Sequence, residues 1–218
     1  MSDDQRLRAN VEAELAFEPS VDAAHIGVTA KNGVVTLSGF VDSFAARAAA
    51  ERAAGRVRGV RAIAEEIEVR LPQHAKHADD EIADRALRLL AWDIEVPADR
   101  IKVRVEHGTV TLTGEVAFQF QRAAAEADVH RLGGVVRVVN LIRLTPVAAD
   151  AGVVRQKIES ALERTAAVEA EGVRVEVRDS HVTLHGRIRS WRERMAAEQA
   201  AWAAPGVAQV TNELRVEP

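Results

Sequence analysis

The chain of 218 residues contains no cysteine. Disulfide bonds, thiolate catalysis and cysteine-ligated zinc or iron–sulfur centres are therefore excluded. The sequence also lacks any uninterrupted run of about 18 apolar residues, so it predicts no helix that spans a bilayer. What remains is a chain that folds by burying apolar side chains, which make up 47% of its residues.

A concentrated positive surface is also missing. Lys and Arg number 29 against 33 Asp and Glu, which gives a formal net charge of −4, and the two signs are nearly balanced in each third of the chain. Nucleic-acid binding needs clustered cations that release counterions from phosphates. The sequence therefore predicts that nucleic acid is not a partner.

The motifs of common catalytic and cofactor sites are absent. There is no Gly-x-Ser-x-Gly, no P-loop, no Gly-x-Gly-x-x-Gly and no His-Glu-x-x-His. His181 and His185 lie four residues apart on a predicted strand, about 13 Å from each other, which is too far to chelate one ion. His74 and His77 lack an evident third ligand. The sequence predicts no enzyme, no catalytic residue, no cofactor and no metal site.

One stretch of eight residues occurs three times. It is Asn-Gly-Val-Val-Thr-Leu-Ser-Gly at 32–39, His-Gly-Thr-Val-Thr-Leu-Thr-Gly at 107–114 and Asp-Ser-His-Val-Thr-Leu-His-Gly at 179–186. A turn-forming pair followed by alternating apolar and polar residues predicts the second arm of a β-hairpin. The closing glycines are 75 and 72 residues apart (114 − 39 and 186 − 114). Three copies at this spacing predict three similar units.

Each predicted unit has the order helix, strand, strand, helix, strand. Apolar residues at helical spacing, such as Leu7, Val11 and Leu15, mark the first helix, and Ala-rich segments mark the second. A strand–helix–strand step makes the second and third strands parallel. The predicted fold class is α+β, with three tandem α-β-β-α-β units that each form a three-stranded mixed sheet with two helices on one face. The predicted units are 1–71, 79–145 and 150–218, with linkers at 72–78 and 146–149.

Four apolar residues interrupt this pattern. Val139 and Leu141 fall on the polar face of the middle sheet, while Phe17 and Trp92 fall at the end of the first helix in units 1 and 2. A neighbour, within the chain or in a dimer, is expected to cover part of the middle sheet's outer face. Phe17 and Trp92 are predicted to plug the core or to form contacts between repeats.

The repeated motif resembles the BON domain, a small α-β-β-α-β module of bacterial osmotic-stress and envelope proteins. The resemblance lies in the glycine-closed motifs at 33–39 and 108–114 and in the closing segments Gly-Val-Val-Arg-Val-Val-Asn-Leu-Ile at 134–142 and Gly-Val-Ala-Gln-Val-Thr-Asn-Glu-Leu at 206–214. Unit 1 departs from it with Glu65 in place of the asparagine, and unit 3 with Ser180 in place of the hairpin glycine. The resemblance implies three copies of a non-catalytic binding module linked to phospholipid or envelope interaction and to stress.

Typical members of that family are exported, and some carry a lipid anchor. Here residues 1–6 begin acidic and precede a helical apolar pattern instead of a continuous apolar run, which is not the pattern of a secretory signal. The chain also has no cysteine for lipidation. A cytoplasmic location is therefore expected, with peripheral membrane contact at most.

Two basic clusters are the candidate lipid- or anion-binding sites. The first alternates along the first strand of unit 2 and comprises Arg100, Lys102 and Arg104. The second surrounds the start of the last helix and comprises Arg187, Arg189, Trp191, Arg192 and Arg194. An aromatic ring flanked by guanidinium groups suits a headgroup boundary, because the ring takes the apolar side and the guanidiniums take phosphate. The alternative is that these arginines solubilise an exposed sheet and pair with carboxylates such as Glu106 and Glu193.

Two functions are compatible with these features. The first is a non-enzymatic, stress-related protein that binds anionic phospholipid or another envelope component through an outer surface. The second is a cytoplasmic protein-interaction or small-ion-sensing module whose units close around a ligand, which the missing export signal favours.

Overall fold

Three copies of one element order make up the computed structural model, which describes residues 2–145, 149–165 and 172–217. Repeat 1 consists of α1 (Asp3–Phe17), β1 (Ile26–Lys31), β2 (Val34–Val41), α2 (Phe44–Arg56) and β3 (Ala62–Val69). Repeat 2 consists of α3 (Asp79–Trp92), β4 (Ile101–Glu106), β5 (Thr109–Val116), α4 (Gln119–His130) and β6 (Arg137–Leu144). Repeat 3 consists of α5 (Ala151–Arg164), β7 (Val173–Arg178), β8 (His181–Ile188), α6 (Trp191–Trp202) and β9 (Gln209–Val216). The predicted α+β class with three α-β-β-α-β units is confirmed.

Each sheet is mixed and has the second hairpin strand at its centre. In repeat 1, β1 pairs antiparallel with β2 and β2 pairs parallel with β3, so Leu37 lies between Val28 and Glu65. The strands β7, β8 and β9 pair in the same way in repeat 3. The crossover through the second helix therefore makes the second and third strands parallel, as predicted.

Both helices of a repeat pack on the same side of its sheet. In repeat 3, α5 and α6 contribute to one apolar cluster the side chains of Val154, Ile158, Leu162, Ala197 and Ala201. The strands add Val175, Val182, Leu184, Ile188, Leu214 and Val216. Because successive strand residues point to opposite sides of a sheet, the residues between these face away from the helices.

The glycine that closes each hairpin arm is required by a close backbone approach. A Cβ atom at Gly39 would collide with the carbonyl oxygen of His25, and one at Gly186 would collide with that of Gly172. The φ angles of 118° and 133° at these two glycines are also ones that other residues rarely adopt. Backbone geometry thus explains the repeated glycine without a role in binding.

A partly buried polar contact joins the last strand to the second helix in repeats 2 and 3. The Asn212 side-chain amide donates to the carbonyl oxygen of Arg194 (3.3 Å) and to the carboxylate of Glu198 (2.9 Å). Its carbonyl oxygen accepts from the backbone N–H of Leu214 (3.2 Å). Asn140 makes the equivalent contacts in repeat 2. The asparagine therefore fixes the helix against the sheet edge.

Repeat 1 forms this contact with a different pair of residues. Glu65 stands at the position of the asparagine and forms an ion pair with Arg47 of α2. Its carboxylate also accepts from the backbone N–H of Ile67 (2.8 Å). The helix–strand contact is therefore kept in repeat 1, where Glu65 pairs with the arginine that stands at the position of Arg122 and Arg194.

Three apolar side chains are largely exposed. Phe17 is 79% exposed, Trp92 86% and Leu141 57%. The prediction that Phe17 and Trp92 plug the core is wrong, because both lie at a helix end beyond the buried turns that contact the sheet. Leu141 is exposed, while Val139 is half-buried. Cover by a second copy of the chain stays a prediction.

The contacts of the chain divide it into two compact units, Met1–Glu115 with Gln121–Ile142, and Val116–Phe120 with Arg143–Pro218. The first unit holds repeat 1 and most of repeat 2, and the second holds repeat 3. The linker predicted at 72–78 contains a short 3₁₀ turn, Gln73–Ala75. The linker predicted at 146–149 lies mostly outside the described residues. Within the described ranges, no helix has the length and apolar character needed to cross a bilayer.

Candidate functional site

The strand residues that alternate with the core residues face away from the two helices of their repeat. We call these surfaces outer face 1 (β1–β3), outer face 2 (β4–β6) and outer face 3 (β7–β9). A half-buried threonine lies on the central strand of each, at Thr36, Thr111 and Thr183. The charges around this threonine differ between the repeats, and they decide what each face can bind.

Outer face 3 carries more cations than anions. Its arginines are Arg174, Arg178, Arg187 and Arg215, and its glutamates are Glu176 and Glu213. Arg187 and Arg215 lie directly opposite each other on β8 and β9. Like charges opposite each other on neighbouring strands are destabilising. An anion bound between the two guanidinium groups would relieve that repulsion.

Ion pairs engage two of these four arginines. Arg178 donates to Glu176 at 2.8 Å, and its guanidinium holds the pKa of that carboxyl below its usual value. Arg187 lies 3.4 Å from Glu217. Arg174 and Arg215 form no ion pair with any residue in the described ranges. Their guanidinium groups are therefore available to an external anion.

Two histidines complete outer face 3. The Nδ1 atom of His185 lies 3.0 Å from Glu213, and its Nε2 atom lies 3.6 Å from Glu176. His181 contacts the Thr211 hydroxyl through Nε2 at 2.7 Å. Across the described ranges, no group of three or more His, Asp or Glu residues is arranged to hold a metal ion. The two histidines therefore act as separate polar groups of this face.

Outer face 2 is also cationic, and it includes an exposed apolar side chain. Its cations are Lys102, Arg104, Arg137 and Arg143, and its carboxylates are Glu106 and Glu115. Arg104 pairs with Glu106 at 2.5 Å. Lys102 and Arg137 form no ion pair with a described residue. Exposed Leu141 lies on the same strand as Arg137.

Arg100 does not belong to this face. It was predicted on the first strand of repeat 2, but it lies in a 3₁₀ turn, Ala98–Arg100, and β4 begins one residue later at Ile101. The turn follows Pro97, whose fixed φ angle favours a turn before the strand. Lys102 and Arg104 therefore share the outer face, and Arg100 precedes it.

Outer face 1 lacks the cation excess of the other two. Its charged residues are Lys31, Glu66 and Glu68. Glu68 accepts from Arg70, which follows β3, at 2.7 Å, and the Arg70 guanidinium lies 4.5 Å from the Phe40 ring. The same backbone therefore presents a face that does not favour anions.

The predicted cluster around Trp191 does not form one surface. The Arg194 guanidinium lies 5.1 Å from the centre of the Trp191 ring and donates to the backbone carbonyl oxygen of Asn212 at 2.8 Å. It thus contributes to the helix–strand contact of repeat 3. Arg189 places its backbone N–H against the Glu193 carboxylate at 2.6 Å, next to the cap of α6. Of the five residues, Arg187 belongs to outer face 3, and exposed Arg192 lies on α6.

Three residues of the cationic faces were not predicted from the sequence: Arg137, Arg174 and Arg215. The signal was present, because each is one of the residues that alternate with the apolar positions of a predicted strand. None of these residues has another cation next to it in the sequence, and the pairing of strands brings them beside other cations.

The module that carries these faces can be assigned by comparison. A family model for the BON domain matches residues 3–70, 78–146 and 150–218. The chain belongs to the BON domain family. The three matched segments correspond to the three repeats, so each outer face is the sheet surface of one BON repeat.

Two further comparisons find similar proteins. Osmotically-inducible protein Y of Escherichia coli (strain K12) is 34% identical over 143 residues, which cover 63% of this chain and 71% of that protein. A solved structure of the C-terminal domain of CdsD, a structural protein of the Type III secretion system of Chlamydia trachomatis, is 16% identical with a TM-score of 0.27 and covers 100% of both chains. A second CdsD structure is also 16% identical, with a TM-score of 0.28, and covers 98% of this chain and 93% of its own. TM-scores this low support no conclusion about this chain.

Proposed function

We propose that this BON protein is a non-enzymatic, stress-related protein that binds anionic phospholipid headgroups through outer faces 2 and 3. One observation carries the proposal: four cations on these faces form no ion pair with any described residue. They are Lys102, Arg137, Arg174 and Arg215. The link to stress rests on the similarity to osmotically-inducible protein Y.

The chemistry of these cations suits lipid phosphate. A guanidinium presents a planar fork of donors that matches two phosphate oxygens, and an exposed ammonium is a compact charge attracted to the same group. Near an anionic leaflet each Lys or Arg contributes about 1 kcal/mol of attraction, which falls off within a Debye length. Two such cations on one face give weak, salt-sensitive and reversible attachment.

Leu141 supports the same interpretation of outer face 2. It is 57% exposed on the strand that carries Arg137. An apolar side chain among cations can enter the boundary between headgroups and acyl chains while the cations contact phosphate. Val139, two residues earlier, provides a second apolar contact on the same face.

Co-sedimentation of the full chain with vesicles tests the proposal. We expect binding to vesicles of phosphatidylcholine mixed with phosphatidylglycerol at low salt, no binding to phosphatidylcholine alone, and loss of binding as salt is added. Absence of binding to the anionic vesicles at low salt would overturn the proposal. That result would favour the alternative of a protein-interaction module.

Two variants with the same net charge separate the effect of where the cations lie from the effect of net charge. The face variant replaces by glutamine the residues Lys102, Arg137, Arg174 and Arg215. The control variant replaces by glutamine four exposed cations outside the sheets, Arg52, Arg58, Arg155 and Lys157. We expect the face variant to lose at least tenfold in vesicle affinity and the control variant to lose much less. Equal losses would show that the outer faces are not the binding surface.

A further inference from the structure

Histidine distinguishes outer face 3 from the other two outer faces. His181 and His185 lie on its central strand, and the equivalent residues of repeat 2 are Thr109 and Thr113. Histidine is the side chain whose charge ordinarily changes between about pH 5 and pH 8. Protonation of these two histidines would add positive charge to a face whose arginines stay charged.

The surroundings of His185 contain groups of both signs. Arg174 lies opposite it on β7 and Glu213 opposite it on β9. Glu176 lies 3.6 Å from its Nε2 atom, and Glu159 of α5 lines the same shallow pocket. A protonated imidazole can donate to both neighbouring carboxylates, whereas a neutral one can donate to a single partner.

One of the two residues directly opposite His181 is charged. Arg178 lies opposite it on β7 and Gln209 opposite it on β9. Its Nε2 atom contacts the Thr211 hydroxyl, which can donate to or accept from the ring. This contact remains possible when the ring is protonated, because the hydroxyl oxygen then accepts.

We propose that outer face 3 is a pH-gated site for the phosphate groups of an anionic lipid surface, in which protonation of His181 and His185 strengthens binding. The proposal rests on the proposed function and adds its regulation. It assigns the gate to repeat 3, because outer face 2 has threonine where outer face 3 has histidine.

Two effects of the protons act in the same direction. Four arginines against two glutamates leave this face with two excess positive charges when the histidines are neutral, and two protons raise that excess to four. In addition, a protonated His185 engages the carboxylates of Glu176 and Glu213. The negative charge of these carboxylates, which opposes the approach of lipid phosphate, is then offset by the imidazolium.

The test compares vesicle binding of the full chain at about pH 5.5 and about pH 7.5. Phosphatidylglycerol is the suitable lipid, because its phosphodiester stays ionised across this range. We expect the wild-type chain to bind about tenfold more tightly at the lower pH, given the attraction gained per added surface charge. The His181→Thr/His185→Thr variant is expected to match wild type at the higher pH and to lose most of the pH dependence.

A second variant controls for two of the five other histidines. His74→Gln/His107→Asn removes two histidines outside the sheet faces, and asparagine suits the positive φ at position 107 because Asn32 occupies that place in repeat 1. We expect this variant to keep the full pH dependence. Circular dichroism of each variant confirms that it is folded.

Each outcome has a definite meaning. No binding by wild type at either pH would overturn the proposed function and the gate together. Binding that is equal at both pH values would overturn the gate alone. The gate would also be overturned if the His181→Thr/His185→Thr variant kept the pH dependence, because other groups would then be responsible.

Discussion

Leu37 in repeat 1 and Leu184 in repeat 3 occupy the same position in the central strand, and both side chains are fully buried. The neighbouring threonines, Thr36 and Thr183, face the other way in both repeats. The charges near these threonines are mainly glutamates in repeat 1 and mainly arginines in repeat 3. Packing against the helices thus holds the inward side constant, while the outward side, free of that constraint, differs in charge between repeat 1 and repeat 3.

The largest expected effect concerns the shared interior. Leu37→Ala and Leu184→Ala should each lower the free energy of unfolding of their own repeat by about 3 kcal/mol, because each leaves a cavity in an equivalent core. Hydrogen exchange measured by mass spectrometry resolves the two repeats within the full chain. A large loss in one repeat and almost none in the other would show that the two interiors are not equivalent.

A smaller effect is expected where the copies exchange one polar contact for another. Asn212→Asp should lower the free energy of unfolding of repeat 3 by about 2 kcal/mol, because the carboxylate cannot donate to the Arg194 carbonyl and lies beside Glu198. An acid stands at this position in repeat 1, where Arg47 pairs with Glu65, whereas the equivalent Arg194 donates to the backbone carbonyl oxygen of Asn212.

Exchange rates in α6 and β9 provide the measurement for Asn212→Asp. The additional change Glu198→Gln serves as the control, because it removes the repulsion and should restore part of the loss. An Asn212→Asp variant as stable as wild type would mean that the asparagine contact contributes little to the fold.

The smallest effect concerns a difference on the helix side of repeat 2. Asp128 of α4 is 7% exposed, and its Oδ2 atom has no hydrogen-bond partner among the described residues. Repeats 1 and 3 have Ala53 and Ala200 at this position. Asp128→Ala should therefore raise the free energy of unfolding of repeat 2 by about 1 kcal/mol at neutral pH.

The sign of the pH dependence follows from the cause of the shift. Burial raises the pKa of the Asp128 carboxyl, and nearby Asp93 raises it further. The stability linked to the protonated form is present at low pH and is lost as pH rises through the folded-state pKa. The advantage of Asp128→Ala should therefore shrink toward about pH 4. Asp128→Asn, which removes the charge but keeps the shape, separates the charge effect from the packing effect.

The interior was predictable from sequence because its signals are periodic. Apolar residues at helical spacing placed Leu7, Val11 and Leu15 in the core, and all three are buried. The repeated glycine marked the end of the hairpin arm, where a backbone approach leaves no room for a side chain. These constraints act within a few residues along the chain, so one sequence is enough to detect them.

The surface was less predictable because its contacts join distant segments. Arg194 seemed part of a basic cluster by its neighbours in sequence, but its partner is the carbonyl oxygen of Asn212 on another strand. Phe17 and Trp92 fit a core pattern by residue type, yet both lie past the last buried turn of their helices. The placement of Arg187 directly opposite Arg215 likewise depends on the register between β8 and β9.

Outer faces 2 and 3 are proposed to contact an anionic lipid surface, and outer face 1 is proposed not to contact it. A chain without cysteine permits single labels at equivalent positions, through the variants Thr36→Cys, Thr111→Cys and Thr183→Cys. Each carries an environment-sensitive fluorophore and is titrated with phosphatidylglycerol vesicles at low salt. We predict that the labels at 111 and 183 shift to a less polar signal and that the label at 36 does not change. An equal response at position 36, or no response at the other two, would contradict the claim.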